Sequence, residues 1–263
     1  MEFKQAVGGR RTIRYFKSWQ PVEAAKIQTI LEAGRLQSQH GNAKLIRKAV
    51  VIERGKTNDT VRDALIDAMY NQPHVQQAPV FIVWAIDMSG WDSLRDALTE
   101  LIEVRALNST HGWSKEFIET AVIPNADFNV MAGDHIFAEW LSAFECGLAV
   151  GSALLAAIDE GLGTALVTGR RAQIREVLHM PPFVTPTQVQ LVGYPAESPN
   201  AGGQRPSPPF ENLYFSGKWG VPLKPDPAVT AQLKTAGMLQ EQAPARWRAD
   251  EIRALAQLFG LPE

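Results

Sequence analysis

Cysteine is almost missing from this chain. Cys146 stands alone among 263 residues, so no intramolecular disulfide can form, and that usage fits a reducing cytoplasm. Excess charge of either sign is missing too. The 26 Lys and Arg nearly balance the 28 Asp and Glu, and a net charge of −2 excludes a broad basic field for nucleic acid or an anionic membrane. No apolar run is read as long enough to span a bilayer, and Met1-Glu2-Phe3-Lys4 does not open a secretory signal. Catalytic signatures are absent as well. There is no Gly-x-Ser-x-Gly elbow, no Gly-x-x-x-x-Gly-Lys phosphate loop and no paired metal-ligand spacing, and the five histidines are scattered. Such a chain is expected to leave its chemistry to a bound cofactor.

What is present is concentrated near the start. Arg10-Arg11-Thr12-Ile13-Arg14 places three guanidinium groups and a hydroxyl within five residues. Arginine stays charged and offers a planar fork that matches phosphate at two points. A solvated basic patch is the plainer reading of such a run taken alone.

The rest divides into a helix-rich pattern with strands at irregular intervals, which implies an α+β fold rather than a regular βαβ repeat. Helices are expected over residues 2–7, 21–35, 58–70, 91–107, 134–160 and 170–180, and strands over 48–52, 79–86, 164–168 and 188–193. The run from Pro79 to Ile86 is continuously apolar, so both its faces should be covered. The long helix carries Phe137, Trp140, Leu141, Phe144, Leu148 and Leu154 around its circumference, which implies burial on more than one side. Its small residues Ala143, Gly147 and Gly151 would let another helix approach, whether in a monomeric core or between subunits. Cys146 lies in this helix and reads as a buried structural thiol. Gly161-Leu162-Gly163 is no dinucleotide fingerprint, because Leu166 fills the third glycine position and a strand follows the helix instead of preceding it. Residues 198–227 turn to Pro, Gly and isolated aromatics, the mark of an extended arm lying on protein surface rather than a free linker. Two short helices are expected after it, over 229–236 and 247–259.

Arg-Arg-Thr-Ile-Arg-x-Phe, Gly161-Leu162-Gly163-Thr164 after a long apolar helix, and Leu191-Val192-Gly193-Tyr194-Pro195 occur in an order that resembles the nitroreductase-like flavoproteins. The resemblance covers roughly residues 1–220. It implies a mixed sheet flanked by helices, a homodimer, and FMN held at the subunit interface. The chain then divides into an FMN-binding core over 1–197, an arm over 198–227 wrapping the partner subunit, and a helical extension over 228–263. By the same resemblance Arg10, Arg11 and Thr12 would hold the phosphate and ribityl end, and Arg14 would lie toward the N1–C2 side of the ring. Thr168 and Gly169 would bring backbone N–H groups to N5 and O4, and Arg205 would return to the phosphate; read by itself, Arg205 is equally an ordinary loop arginine. Asn42 matches a family ring contact, whereas Gln39, Lys44 and Ile46 depart from the serine, glutamine and tryptophan expected beside it. The insert over 108–129 would form wall and lid over the flavin, or else a packed linker. The implied reaction is ping-pong: NAD(P)H reduces the flavin and leaves, and a nitroaromatic, quinone or related small molecule takes its place. A specialised reaction on the same fold, or a flavin-binding protein without catalysis, are the alternatives. Neither nucleic acid nor membrane is expected as a partner, and the expected location is the cytoplasm.

Overall fold

A computed structural model describes residues 1–39, 42–125 and 135–262. Helices α1 (Phe3–Gly9) and α2 (Ala24–Arg35) precede β1 (Arg47–Glu53), and α3 (Asp59–Ala68) and the short α4 (Pro73–Gln77) lead to β2 (Val80–Asp87). Next come α5 (Leu94–Glu103), the single turn α6 (Lys115–Phe117), a π turn over Ile118–Val122 and the longest helix, α7 (His135–Asp159). β3 (Gly163–Val167), α8 (Arg171–Val177) and β4 (Val184–Gly193) complete the sheet, and α9 (Pro227–Thr235) and α10 (Arg248–Phe259) follow the arm.

The sheet order is β1-β2-β4-β3, and every neighbouring pair is antiparallel. That corrects the expected mixed sheet. Parallel pairing among the described residues is confined to isolated bridges, Thr12 with Thr164 and Gln204 with Gln242. An apolar run reports which faces are covered and carries no information on strand direction.

β2 shows the covering plainly. Val80, Ile82, Trp84 and Ile86 face one cluster with Ile27 and Ile30 of α2, Leu94 and Leu98 of α5, and Leu141, Ala149 and Ala153 of α7. Phe81 and Val83, one residue out of step, face the other with Leu65 and Ala68 of α3 and Ile174 of α8. Alternation along a strand thus delivers successive side chains to opposite layers, and each such burial contributes about 1.5–3 kcal/mol.

Local chemistry sets most boundaries. The Asn58 side chain accepts the Thr60 N–H and starts α3. Gly161, with φ +74°, turns the chain out of α7 toward β3. The helix expected from residue 91 begins later. Met88–Ser93 forms a 3₁₀ turn, because Gly90 lies against the backbone at Ile46 (an added Cβ would be 2.6 Å from Ile46 N) and Trp91 turns inward to donate to Ser142 Oγ at 3.0 Å. Arg105, at φ +63°, lies beyond its earlier end.

Helix α7 corrects a second expectation. Within its stretch Ile136–Asp159 the most apolar window has mean hydropathy 1.8, and the helix is long and apolar enough to cross a membrane by length and composition alone. Within the fold it packs on α2 and the sheet, with 44% of its most apolar window buried. Glu139 and Glu145 interrupt the run and hide its length from a scan for unbroken apolar residues. Residues 126–129 of the insert, with Phe128, and His40 lie outside the described residues.

Candidate functional site

The arginine loop is an extended segment pinned from several sides. The Ile13 N–H donates to Thr164 O at 3.0 Å, the Tyr15 N–H to Glu197 Oε1 at 3.1 Å and the Phe16 N–H to Gln77 Oε1 at 3.1 Å; Arg14 N–H also donates to Glu197 Oε1. Arg11 and Ile13 are buried, at 5% and 2% exposure, while Thr12 between them is half-buried and Arg14 beyond them is exposed. The period of two that defines extended chain therefore sends Arg10, Thr12 and Arg14 to one side and anchors the other.

That side is a cleft of about 610 Å³ lined by Arg10, Arg11, Thr12, Arg14, Gln204 and Arg205, with Leu239, Gln242 and Ala243 closing it. Among the described residues no Asp or Glu lines it. Arg10, Arg14 and Arg205 form no ion pair among the described residues, and Arg14 has only a long 3.4 Å bond from Nη1 to Thr12 O. Guanidinium groups converging without a carboxylate repel one another, and an anion is the group that would relieve them.

Arg11 differs from its neighbours. Its Nε donates to Asn200 O at 3.0 Å, Nη1 to Gly8 O at 2.6 Å and to Arg10 O at 3.1 Å, and Nη2 to Gln240 Oε1 at 2.7 Å. Four of its five N–H groups are thereby spent on protein, and burial, with Arg10's charge adding, lowers its pKa. Arg11 is a tie between the loop and the C-terminal segment. Arg10, Arg14, Arg205 and Thr12 retain the open donors.

The remaining expected residues stand apart from this cleft within one chain. Thr168 is exposed just after β3, and Gly169 packs so tightly that a Cβ would lie 2.8 Å from Ala68 O. Because Thr12 pairs parallel with Thr164, the loop backbone runs the same way as β3. Thr168 lies four residues further along, roughly 13 Å at strand spacing, so only an elongated ligand reaches both. Asn42 takes a left-handed φ of +58° after α2, away from the cleft lining. Of its three unusual neighbours, Gln39 and Lys44 line a surface hollow with Arg35 and Arg47, where Lys44 also pairs with Glu100, and Ile46 is core at 1% exposure.

A second concavity, of about 820 Å³, runs along α7 and is lined by Trp140, Ala143, Cys146, Gly147, Gly151 and Leu166 among others. Trp140 is 62% exposed and Phe144 48%, stacked at 6.2 Å, so α7 is buried toward α2 and the sheet and bare on this face. Cys146 is buried, and burial raises its pKa even though Thr187 Oγ1 lies 3.4 Å from Sγ. A protonated thiol of this kind is a weak nucleophile.

Reading the sequence did not single out Glu197, Gln240, Gln242 or Arg248, which close and brace the arginine cleft. No spacing announces them, since 34 or more residues separate partners such as Gln204 and Met238.

Known proteins share this arrangement of elements. A family model described as "Nitroreductase family" matches residues 7–194. A curated relative from Bacillus subtilis, "FMN reductase [NAD(P)H]", is 25% identical over 199 residues, 74% of this chain and 67% of its own. Among solved structures, a nitroreductase from Exiguobacterium sibiricum in complex with FMN superposes with TM-score 0.66 at 19% identity, over 82% of this chain and 97% of that one. NfrA1 from B. megaterium gives TM-score 0.56 at 20% identity over 98% of this chain and 92% of that one, so the likeness of fold extends through the C-terminal helices.

Proposed function

The chain belongs to the nitroreductase family, and from that premise we propose that it is an FMN-dependent oxidoreductase that takes hydride from NAD(P)H and reduces an electron-poor small molecule such as a nitroarene or quinone. The observation that carries the reading is the acid-free cleft on which Arg10, Arg14 and Arg205 converge. Its donor set fits the phosphate of FMN, and the B. subtilis relative, an FMN reductase, and the E. sibiricum protein, solved with FMN, support the same cofactor.

Arg10, Arg205 and the Thr12 hydroxyl would hold the phosphate, with Arg11 fixing the loop from beneath. Arg14 lies further toward Thr168 along the loop, where a fixed cation favours negative charge on the ring. Thr168 and Gly169 would offer backbone N–H groups at the far end, where the close packing of Gly169 leaves no room for a side chain. When bound, FMN supplies two-electron chemistry, accepting hydride from the nicotinamide and returning electrons to the second substrate in ping-pong order. Burial, with Arg14 adding, pushes the His74 imidazole below its ordinary value of 6.5, so His74 brings no second positive charge to this loop at neutral pH.

Asn42 and Gln39 cannot join this cleft from within one chain, but a second copy would bring them. The bare apolar face of α7 and the exposed aromatics of the arm, Phe210, Tyr214 and Trp219, support a homodimer in which the arm lies on the partner. Exposed apolar surface of that extent marks an interaction site.

Anaerobic titration tests the proposal. A yellow protein should bleach with NADPH or NADH and recover colour on adding a nitroarene. Slow or absent bleaching by both nicotinamides points to a specialised reaction or a flavin-binding role on the same fold. A colourless protein with no affinity for FMN overturns the reading.

A further inference from the structure

The C-terminal extension is tied into the arginine cleft on both flanks. On one flank, Gln240 takes the Arg11 guanidinium at 2.7 Å, and a Cβ on Gly8 would collide with the Gly237 carbonyl. On the other, Gln204, next to Arg205, receives the Gln240 N–H at 3.0 Å on its Oε1 and pairs with Gln242. Gly202 and Gly203, with φ of +85° and +117°, make the approach possible: an added Cβ would lie 2.7 Å from Arg248 Cγ and 2.7 Å from Ala243 N respectively.

Beneath the loop lies a buried charge that the cofactor chemistry leaves unexplained. The Glu197 side chain is 0% exposed, and its Oε1 takes the N–H groups of Arg14 and Tyr15. Its Oε2 faces Arg248 Nη2 at 2.6 Å, an ion pair whose contact lies off the hydrogen-bonding axis. Arg248, 14% exposed, also donates from Nη1 to Glu251 Oε2 at 2.6 Å, while Glu251 Oε1 takes the Ser198 N–H at 2.6 Å. One guanidinium from α10 therefore holds two carboxylates that fix the backbone at residues 14, 15 and 198. A buried carboxylate stripped of its cation is strongly disfavoured, so this bracing depends on α10 being docked. Burial pulls the Arg248 pKa down, but the hydrogen bonds and charges of Glu197 and Glu251 outweigh it and raise it, so the guanidinium stays charged.

We infer that Arg248 is a positioning residue for the anion cleft, acting through Glu197 on the Arg14 backbone, and that the C-terminal extension is the clamp that sets affinity for the phosphate end of the cofactor. The inference rests on the proposed FMN reading and deepens it. A merely stabilising extension would affect all flavins alike, whereas a clamp at the phosphate end discriminates between them.

The test compares dissociation constants for FMN and for riboflavin, which lacks the phosphate, in the full chain by quenching of flavin fluorescence. Arg248→Met should weaken FMN about tenfold while leaving riboflavin within about twofold, and Arg248→Lys should recover most of the loss. Combined with Arg10→Ala, the loss should be less than additive, because both changes act on one loop. If Arg248→Met does not fold, Gln240→Ala is measured the same way, with a smaller FMN-selective loss expected. Equal weakening of both flavins, or unchanged FMN affinity, overturns the inference. A wild-type chain that binds no FMN defeats the functional reading itself, whereas tight FMN binding in the wild type and in Arg248→Met defeats only the clamp.

Discussion

The cleft around Arg10 is walled by segments of one chain, from residue 7 to residue 243, whereas the groove along α7 presents Trp140 and exposed glycines with none of the described residues of its own chain over them. The first is dense in charge and finished by distant parts of the same polypeptide. The second is apolar and open. The contrast teaches that distant segments of one chain can finish a charged cleft while the same chain leaves an apolar face bare. Charge-assisted bonds need rigid aim, which the loop obtains from Glu197 and Gln77, while an apolar face needs only area.

Crossed substitutions would break or sharpen that contrast. The largest effect is expected from Arg10→Ala combined with Arg205→Ala. Two charge-assisted contacts at about 1.5–3 kcal/mol each would be lost, a fall in FMN affinity of roughly a hundredfold or more, with the oligomeric state unchanged by light scattering. If FMN occupancy survived in that variant, the phosphate would have to be held elsewhere.

Trp140→Glu should do the reverse. A charge in the centre of the apolar face should cost about 2 kcal/mol or more of association and shift the protein toward monomer in sedimentation, leaving the arginine cleft itself intact. A variant that sediments like the wild type would mean that α7 is not the contact face.

The smallest effect concerns Cys146. Burial raises the pKa of its thiol, so at neutral pH it should react slowly with iodoacetamide, with the rate increasing only as the solution becomes strongly alkaline. The sign follows from the neutral form being favoured in the folded state. In Trp140→Glu the rate should stay the same, because Cys146 is buried within its own chain; a faster reaction would mean that the thiol is shielded by something outside that chain.

How much of this was legible in advance varies with the range of the interactions. Phe3–Gly9, Arg47–Glu53 and Val80–Asp87 follow from short-range pattern, since periodicity and capping act over a few residues. Arg10, Thr12, Arg14 and Arg205 were named together through the resemblance to the nitroreductase-like flavoproteins, and the fold brings them to one cleft. Arg11, named beside them, spends four N–H groups on protein: adjacent arginines look alike in sequence, and only the alternation of extended chain separates the buried tie from the open donors. Glu197 and Arg248 were invisible, because a pair separated by 51 positions leaves no spacing to read. The C-terminal helices could be placed as elements but not given a task.

By itself, then, the sequence determined most of the long secondary elements, the two-sided covering of β2 and the presence of an arginine-rich segment, because each depends on local periodicity or on side-chain chemistry alone. The antiparallel sense of the whole sheet, the burial of Arg11, the bare face of α7 and the bracing of the Arg14 backbone by Glu197 and Arg248 were decided only in three dimensions. Those features depend on which distant segments meet, and the cost of burying a charge or leaving a face uncovered is set by what lies opposite it.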